Sequence, residues 1–206
     1  MTKTVLMTGC SSGIGYDAAH GMAARGWRVF ATCRKEEDCA RLWDEGLESF
    51  PLDYEDEDSL REAVAETLRR TGGTLDALYN NGAYAIPGAV EDLPRDALRA
   101  IYEANLPGPI TSDIRQNSIP HFETWIDWRG SARVDQYENK LIKRLYESRG
   151  PDRFELPADA VTIKLAHALE AKTPRYNYYV TRPTYMMAAL KRLLPARLFE
   201  WVVAKG

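Results

Sequence analysis

The sequence predicts an α/β fold of βαβ units on a parallel sheet, and three observations carry that expectation. Short β-branched or apolar runs alternate with longer segments of helical period through the first hundred residues. A glycine-rich turn, residues 8–15, stands directly between the first apolar run and the first helical one. The 206 residues, 45% of them hydrophobic, amount to one domain at about 150 residues per domain, with enough apolar material for a core that needs no disulfides.

The run Thr4-Val5-Leu6-Met7-Thr8 reads as the first strand and residues 13–25 as the first helix. A second strand is expected over 27–33, a charged helix over 36–45 and a third strand over 48–52. Residues 58–70 read as a helix with Leu60, Val64 and Leu68 on one face at i, i+4, i+8, and 75–79 as the fourth strand. After a loop rich in Gly and Ala, Leu93-Pro94 opens a helix to about residue 104, with Leu98, Ile101 and Tyr102 as its apolar stripe. From Pro107 the alternation stops. Residues 107–128 read as irregular, 132–148 and 157–171 as amphipathic helices, and 176–181 as one further strand. The apolar tail, 183–204, is interrupted by Lys191, Arg192, Pro195, Arg197 and Glu200, and reads as two short helices hinged at Pro195 rather than a membrane span.

With 27 basic and 30 acidic residues the net charge is −3, and neither sign gathers into a block, which argues against a nucleic-acid partner. Cys10, Cys33 and Cys39 are an odd number without a C-x-x-C pair, so neither a disulfide framework nor a zinc site is indicated, and a reducing cytoplasm fits. The first apolar run is too short for a signal segment. His20, His121 and His167 are isolated in sequence, which favours surface or capping roles over metal binding.

The strongest chemical signal is Thr8-Gly9-Cys10-Ser11-Ser12-Gly13-Ile14-Gly15. Glycines between a strand and a helix let the backbone turn tightly and approach a pyrophosphate, whose charge is met by free amides and the positive end of the helix dipole. Glycines also mark ordinary turns, but this placement in a βαβ unit, with the polar Ser11-Ser12 pair, points to a dinucleotide.

The spacing G-x-x-x-G-x-G preceded by Thr resembles the short-chain dehydrogenase/reductase family. Asn80-Asn81-Gly82-Ala83 is similar to that family's N-N-A-G element with its last two residues exchanged, and Leu52-Asp53 to its adenine-contacting L-D. Asn105, in Glu103-Ala104-Asn105-Leu106, matches the family's helix-borne asparagine, and Pro107-Gly108-Pro109-Ile110 resembles its P-G motif. The resemblance implies a Rossmann-type, doubly wound parallel sheet, with 1–106 as the cofactor-binding half and 107–206 as a C-terminal substrate or lid region. It assigns cofactor binding to Gly9, Ser11, Ser12, Gly13, Ile14, Gly15, Asp53, Asn81, Gly82 and Ile110, and a catalytic part to Asn105. At the end of the second strand, Thr32-Cys33-Arg34-Lys35 replaces the acidic residue that would bind a ribose 2′-hydroxyl. A guanidinium there suits a 2′-phosphate, so Arg34 implies NADP rather than NAD, unless the two cations are simply solvated at a helix start.

The family's chemistry resides in a serine on strand five and a tyrosine and lysine spaced Y-x-x-x-K on the next helix. No tyrosine here has a lysine four residues on. Tyr137-Glu138-Asn139-Lys140 has the wrong spacing, and the stripe Val134, Tyr137, Leu141, Leu145 explains that tyrosine as core. Asn105-Leu106 runs directly into the P-G element, where the family places two βα units, about 60 to 75 residues. An internal deletion follows, removing strands five and six from the family order 3-2-1-4-5-6-7. Strand four then becomes an unpaired apolar edge, and 176–181 is expected to move in beside it to give 3-2-1-4-7. The helix bearing the Tyr and Lys is also a usual dimer surface, so a family-type homo-oligomer is not expected.

The resemblance thus implies an NADP-dependent oxidoreductase interconverting an alcohol and a carbonyl, inactive or nearly so in this truncated form. The apolar tail with Phe122 and Trp125 favours a lipophilic substrate. The rival reading is a noncatalytic dinucleotide-binding or interaction protein; a third is a product that neither folds stably nor binds. Tyr84 reads either as a neighbour of the nicotinamide or as a packed loop aromatic.

Overall fold

The computed structural model describes residues 2–97, 114–147, 156–194 and 198. Four parallel strands, β1 (Thr4–Met7), β2 (Arg28–Cys33), β3 (Glu48–Pro51) and β4 (Ala77–Tyr79), form one sheet in the order β3-β2-β1-β4. Helices α1 (Gly13–Ala24), α2 (Glu36–Asp44) and α3 (Glu57–Thr71) connect them. All seven elements fall within a few residues of the ranges the sequence predicts. β1 is buried along its whole length because both faces are covered, which is why it reads as a continuous apolar run rather than an alternating one.

One face of the sheet packs Val5, Met7 and Val29 against Ala18 and Met22 of α1 and Leu42 of α2. The other face belongs to α3: the Phe30 and Phe50 rings meet at 6.2 Å and the Arg70 guanidinium lies 5.5 Å over Phe50. The sheet is therefore wound on both faces. Glu48 ties this side together by accepting from Arg28 Nε at 2.5 Å and Arg70 Nη1 at 3.2 Å. α3 is stopped at both ends, by the Asp56 carboxylate accepting from the Asp58 and Ser59 amides and by Gly72 in the left-handed region at φ 70°.

The apolar stripe of α3 is not what that helix buries. Ala63 and Thr67 face inward, while Val64 is 46% and Leu68 37% exposed. Leu78 of β4, on the same side of the sheet as Leu6 and Phe30, is 57% exposed. Small residues let α3 approach the sheet closely, and the larger ones point to where no described element lies.

Beyond β4 the structure corrects two expectations. The segment read as irregular contains a helix, α4 (Ile114–Trp125), despite Pro120 within it. Tertiary burial outweighs the proline: Phe122 is 1% exposed and packs in a second apolar cluster with Ile86, Ile126, Tyr137 and Leu145. Residues 176–181 form no strand and do not pair with β4; among the described residues no strand follows β4. Their tyrosines find local partners instead. Tyr178 Oη lies 2.7 Å from His167 Nδ1 and accepts from the Arg175 amide at 3.0 Å, Tyr179 packs edge-on against Tyr185, and Tyr176 is fully exposed.

The helix expected from Leu93 begins at Arg95, and its part beyond residue 97 lies outside the described residues, as does the hinge at Pro195. Helix α5 runs as an α-turn over Val134–Gln136, a π-helical stretch over Tyr137–Ile142 and an α-turn over Lys143–Tyr146. Tyr137 is core, as its stripe implies: its hydroxyl donates to Asp92 Oδ2 at 2.7 Å and accepts from the Ala89 amide at 2.9 Å. Helix α6 (Asp159–Glu170) docks on α1. Gly21 makes room there, because a Cβ on it would sit 2.4 Å from the Thr162 methyl. The Thr162 hydroxyl donates to Asp17, and Glu170 accepts from Trp27 Nε1 at 3.1 Å. Helix α7 (Arg182–Leu193) starts on Thr181, whose hydroxyl accepts from the Thr184 amide. No helix among the described residues is long and apolar enough to cross a membrane.

Candidate functional site

The chain leaves β1 through Gly9, whose φ of 67° is left-handed and whose missing Cβ would lie 2.5 Å from the Gly82 Cα. Two backbone segments meet at that point: the turn after β1 and the turn after β4. Thr8 fastens them. Its hydroxyl accepts from the amides of Asn81 at 3.0 Å and Gly82 at 3.2 Å and donates to the Tyr79 carbonyl at 3.4 Å.

Asn81 completes the brace, its Nδ2 donating to the carbonyls of Thr8 at 3.2 Å and Gly9 at 3.1 Å. Both donors of that amide are committed to the turn, so Asn81 shapes the site from behind. Gly15 is equally constrained: a Cβ there would stand 2.2 Å from the Gly9 carbonyl oxygen and 2.6 Å from Asn81 Nδ2.

α1 starts from Ser12 in extended conformation, with no side-chain cap and no acidic residue in its first turn. The opening amides of a helix have no intrahelical acceptors, and the dipole gives that end a positive potential. Gly13, Ile14 and Gly15 provide these amides without bulk beyond the Ile14 side chain. Burial pushes the thiol of Cys10, inside the motif, up to about 12, which disfavours the thiolate.

A cleft of about 320 Å³ opens beside this turn, bordered by Gly9, Ser11, Arg34, Asp53 and Gly82 among the residues the sequence singles out. Arg34 and Lys35 are exposed there, and neither forms an ion pair among the described residues. The Asp53 carboxylate accepts from the Glu55 amide at 3.1 Å while the Asp53 amide donates to Ser59 Oγ at 3.0 Å, so this acid orders the turn after β3. Asn105 and Ile110 lie outside the described residues. A hollow of about 410 Å³ between α2 and β3, against Trp43 and Phe50, contains none of the motif residues.

The structure adds side chains that the motifs do not reveal. The Tyr54 ring packs directly on Gly82, where a Cβ would come within 2.0 Å of its hydroxyl, which gives a physical reason for glycine at that point of the Asn80–Ala83 turn. Burial raises the Tyr54 hydroxyl pKa. α4 brings His121 to the cleft wall, where its ring stacks on Tyr84 at 4.2 Å and 14° between planes. The Tyr84 hydroxyl donates to Glu55 Oε1 at 3.0 Å. Burial and then the Arg34 charge hold His121 below the usual imidazole range, with Glu55 opposing. An isolated histidine carries no such signal in sequence, because the helix that places it is itself not legible there.

Residues 3–121 match the model of the short chain dehydrogenase family. The uncharacterized oxidoreductase YbbO of Escherichia coli (strain K12) is 26% identical over 254 aligned positions, covering 98% of this chain and 94% of its own length. With 206 residues here against 254 positions, at least 48 positions of that relative have no counterpart within the matched span. The NADPH-dependent 1-acyldihydroxyacetone phosphate reductase of Schizosaccharomyces pombe is 37% identical over 109 residues, 52% of this chain and 37% of its own. A solved variant of actinorhodin polyketide ketoreductase with NADPH is 30% identical, covers 51% of this chain and 42% of its own, and superposes with a TM-score of 0.47. The chain thus spans about two-fifths of the length of these last two proteins.

Proposed function

The chain belongs to the short chain dehydrogenase family, and from that premise we propose that it is an NADP-dependent oxidoreductase of the alcohol–carbonyl type, with its cofactor half built and its catalytic segment missing. The observation that carries this reading is an uncapped, acid-free α1 N-terminus beside a cleft that Gly9 and Ser11 border together with Arg34, which forms no ion pair among the described residues. An anion with two phosphate groups at different positions fits those donors, and the glycine contacts leave backbone rather than side chain at the point of approach. The NADPH dependence named for one relative supports the same choice of cofactor.

In this reading the amides of Gly13, Ile14 and Gly15 hold the pyrophosphate, with Ser11 and Ser12 beside it. Arg34 and Lys35 hold the 2′-phosphate and Asp53 borders the adenine, while Thr8 and Asn81 keep Gly9 against Gly82. Ile110 and Asn105 keep the cofactor and catalytic parts assigned to them by resemblance. The nicotinamide, when bound, supplies or accepts the hydride. The chain's own task is to exchange a proton with the substrate oxygen, and no tyrosine in the sequence has a lysine four residues on to do it.

Loss of the general acid–base costs on the order of 10² to 10⁴ in rate, and loss of substrate positioning removes a further contribution of about 7 to 11 kcal/mol. Turnover is therefore at trace level. The substrate class remains a small, lipophilic alcohol or ketone, and the compartment the cytoplasm. The test combines tryptophan quenching by NADPH with NADPH oxidation against a panel of ketones: saturable quenching with oxidation at or near background is expected. Quenching that never saturates overturns the cofactor reading, and rapid oxidation overturns the catalytic one.

A further inference from the structure

We propose that His121, carried by α4, is a further ligand for the 2′-phosphate of the bound dinucleotide, sharing that group with Arg34. The inference rests on the cofactor reading above and extends it to a residue outside the glycine turn and the βα pattern.

Three observations converge on His121. Its ring borders the same cleft as Arg34 and Lys35 from the end of β2, Asp38 of α2, and Asp53 and Glu55 after β3. Its orientation comes from a flat stack on Tyr84, which Glu55 holds in turn, and neither ring nitrogen has a hydrogen-bond partner among the described residues. The ring is thus fixed in direction while its polar atoms stay available. Stacking is an apolar constraint and leaves the in-plane N–H to a ligand.

Electrostatics point the same way. Arg34 is close enough to lower the affinity of the imidazole for a proton, and it has no ion pair of its own among the described residues. Arg34 and His121, one positive and the other potentially so, repel across the cleft although Asp38, Asp53 and Glu55 also border it. A phosphate monoester placed there reverses the sign of that coupling, since it accepts from the guanidinium and from an imidazole N–H at once. Three carboxylates there oppose an anion, and each already accepts elsewhere: Asp38 from Arg41, Asp53 from the Glu55 amide and Glu55 from the Tyr84 hydroxyl. A ribose carrying a bare 2′-hydroxyl offers neither the charge nor the extra acceptors, so His121 acts on the choice between phosphorylated and unphosphorylated cofactor.

The test is calorimetric titration of the full chain with 2′,5′-ADP and with 5′-AMP, for the wild type and for His121→Phe, which keeps an aromatic ring on Tyr84 but removes the N–H. Expected is a wild type that binds 2′,5′-ADP at least tenfold tighter than 5′-AMP. His121→Phe then loses roughly tenfold in 2′,5′-ADP affinity with 5′-AMP unchanged. A variant that binds 2′,5′-ADP as the wild type does, or weakens both probes equally, overturns the assignment to His121 and leaves the cofactor reading standing. A wild type that binds both probes alike overturns the phosphate role of Arg34 as well, and one that binds neither removes the nucleotide site altogether.

Discussion

Gly15 shows how far a single position constrains this site. A methyl group there must displace the Gly9 carbonyl or the Asn81 amide, both already bonded into the turn. Gly15→Ala is expected to lower the unfolding free energy by about 1 to 3 kcal/mol in urea denaturation and to abolish nucleotide binding. Arg34→Ser acts differently. It removes a charge that makes no ion pair among the described residues, so stability should stay within about 0.5 kcal/mol while NADPH affinity falls at least about tenfold and NADH affinity does not change. A third residue-scale prediction concerns acid. The Arg28 hydrogen bond, aided by Arg70 and opposed by partial burial, holds the Glu48 carboxyl below its ordinary value. Its stabilising contribution is complete above the unfolded carboxylate pKa, about 4.3, and is lost as pH falls through the lower folded value. The urea midpoint of Glu48→Gln should therefore lie below that of the wild type near neutrality and converge with it in acid. The glycine turn was legible because its shape depends on local backbone and residue type, and the fold brings Arg34 and Asp53 to the same cleft. Asn81 was legible as part of a motif, while its bonds to the Thr8 and Gly9 carbonyls appear only in the fold.

At the scale of elements, the βα alternation was readable because β1 and nearly all of β2 are buried and so read as apolar runs, and the intervening helices carry caps or periodicity in their own residues. Helix α4 was not, because three prolines in 107–120 break the local signal and only the burial of Phe122 and Ile126 makes a helix worthwhile. The run at 176–181 has strand composition, yet it does not join the outer edge of β4, and its tyrosines meet α6 and α7 neighbours instead. For α3, periodicity located the apolar stripe but could not say which face would be covered. Leu68→Lys is therefore expected to change the unfolding free energy by no more than about 0.5 kcal/mol and to improve solubility, where a buried stripe would cost several times more. Chemical denaturation with light scattering measures both.

For the molecule as a whole, two independent lines describe the same loss. The sequence lacks Y-x-x-x-K and runs from the Asn105 motif straight into the P-G element, and the alignment with the Escherichia coli relative leaves at least 48 of 254 positions without counterpart in 206 residues. What persists is a parallel sheet with a cleft, bordered by the glycine turn, Arg34 and Asp53, at the carboxyl ends of its strands. The most direct test is calorimetric titration of the full chain with NADPH and NADH at neutral pH. Saturable one-to-one binding of NADPH, at least about tenfold tighter than NADH, is predicted; no saturable binding of either, or NADH bound as tightly as NADPH, would contradict the account.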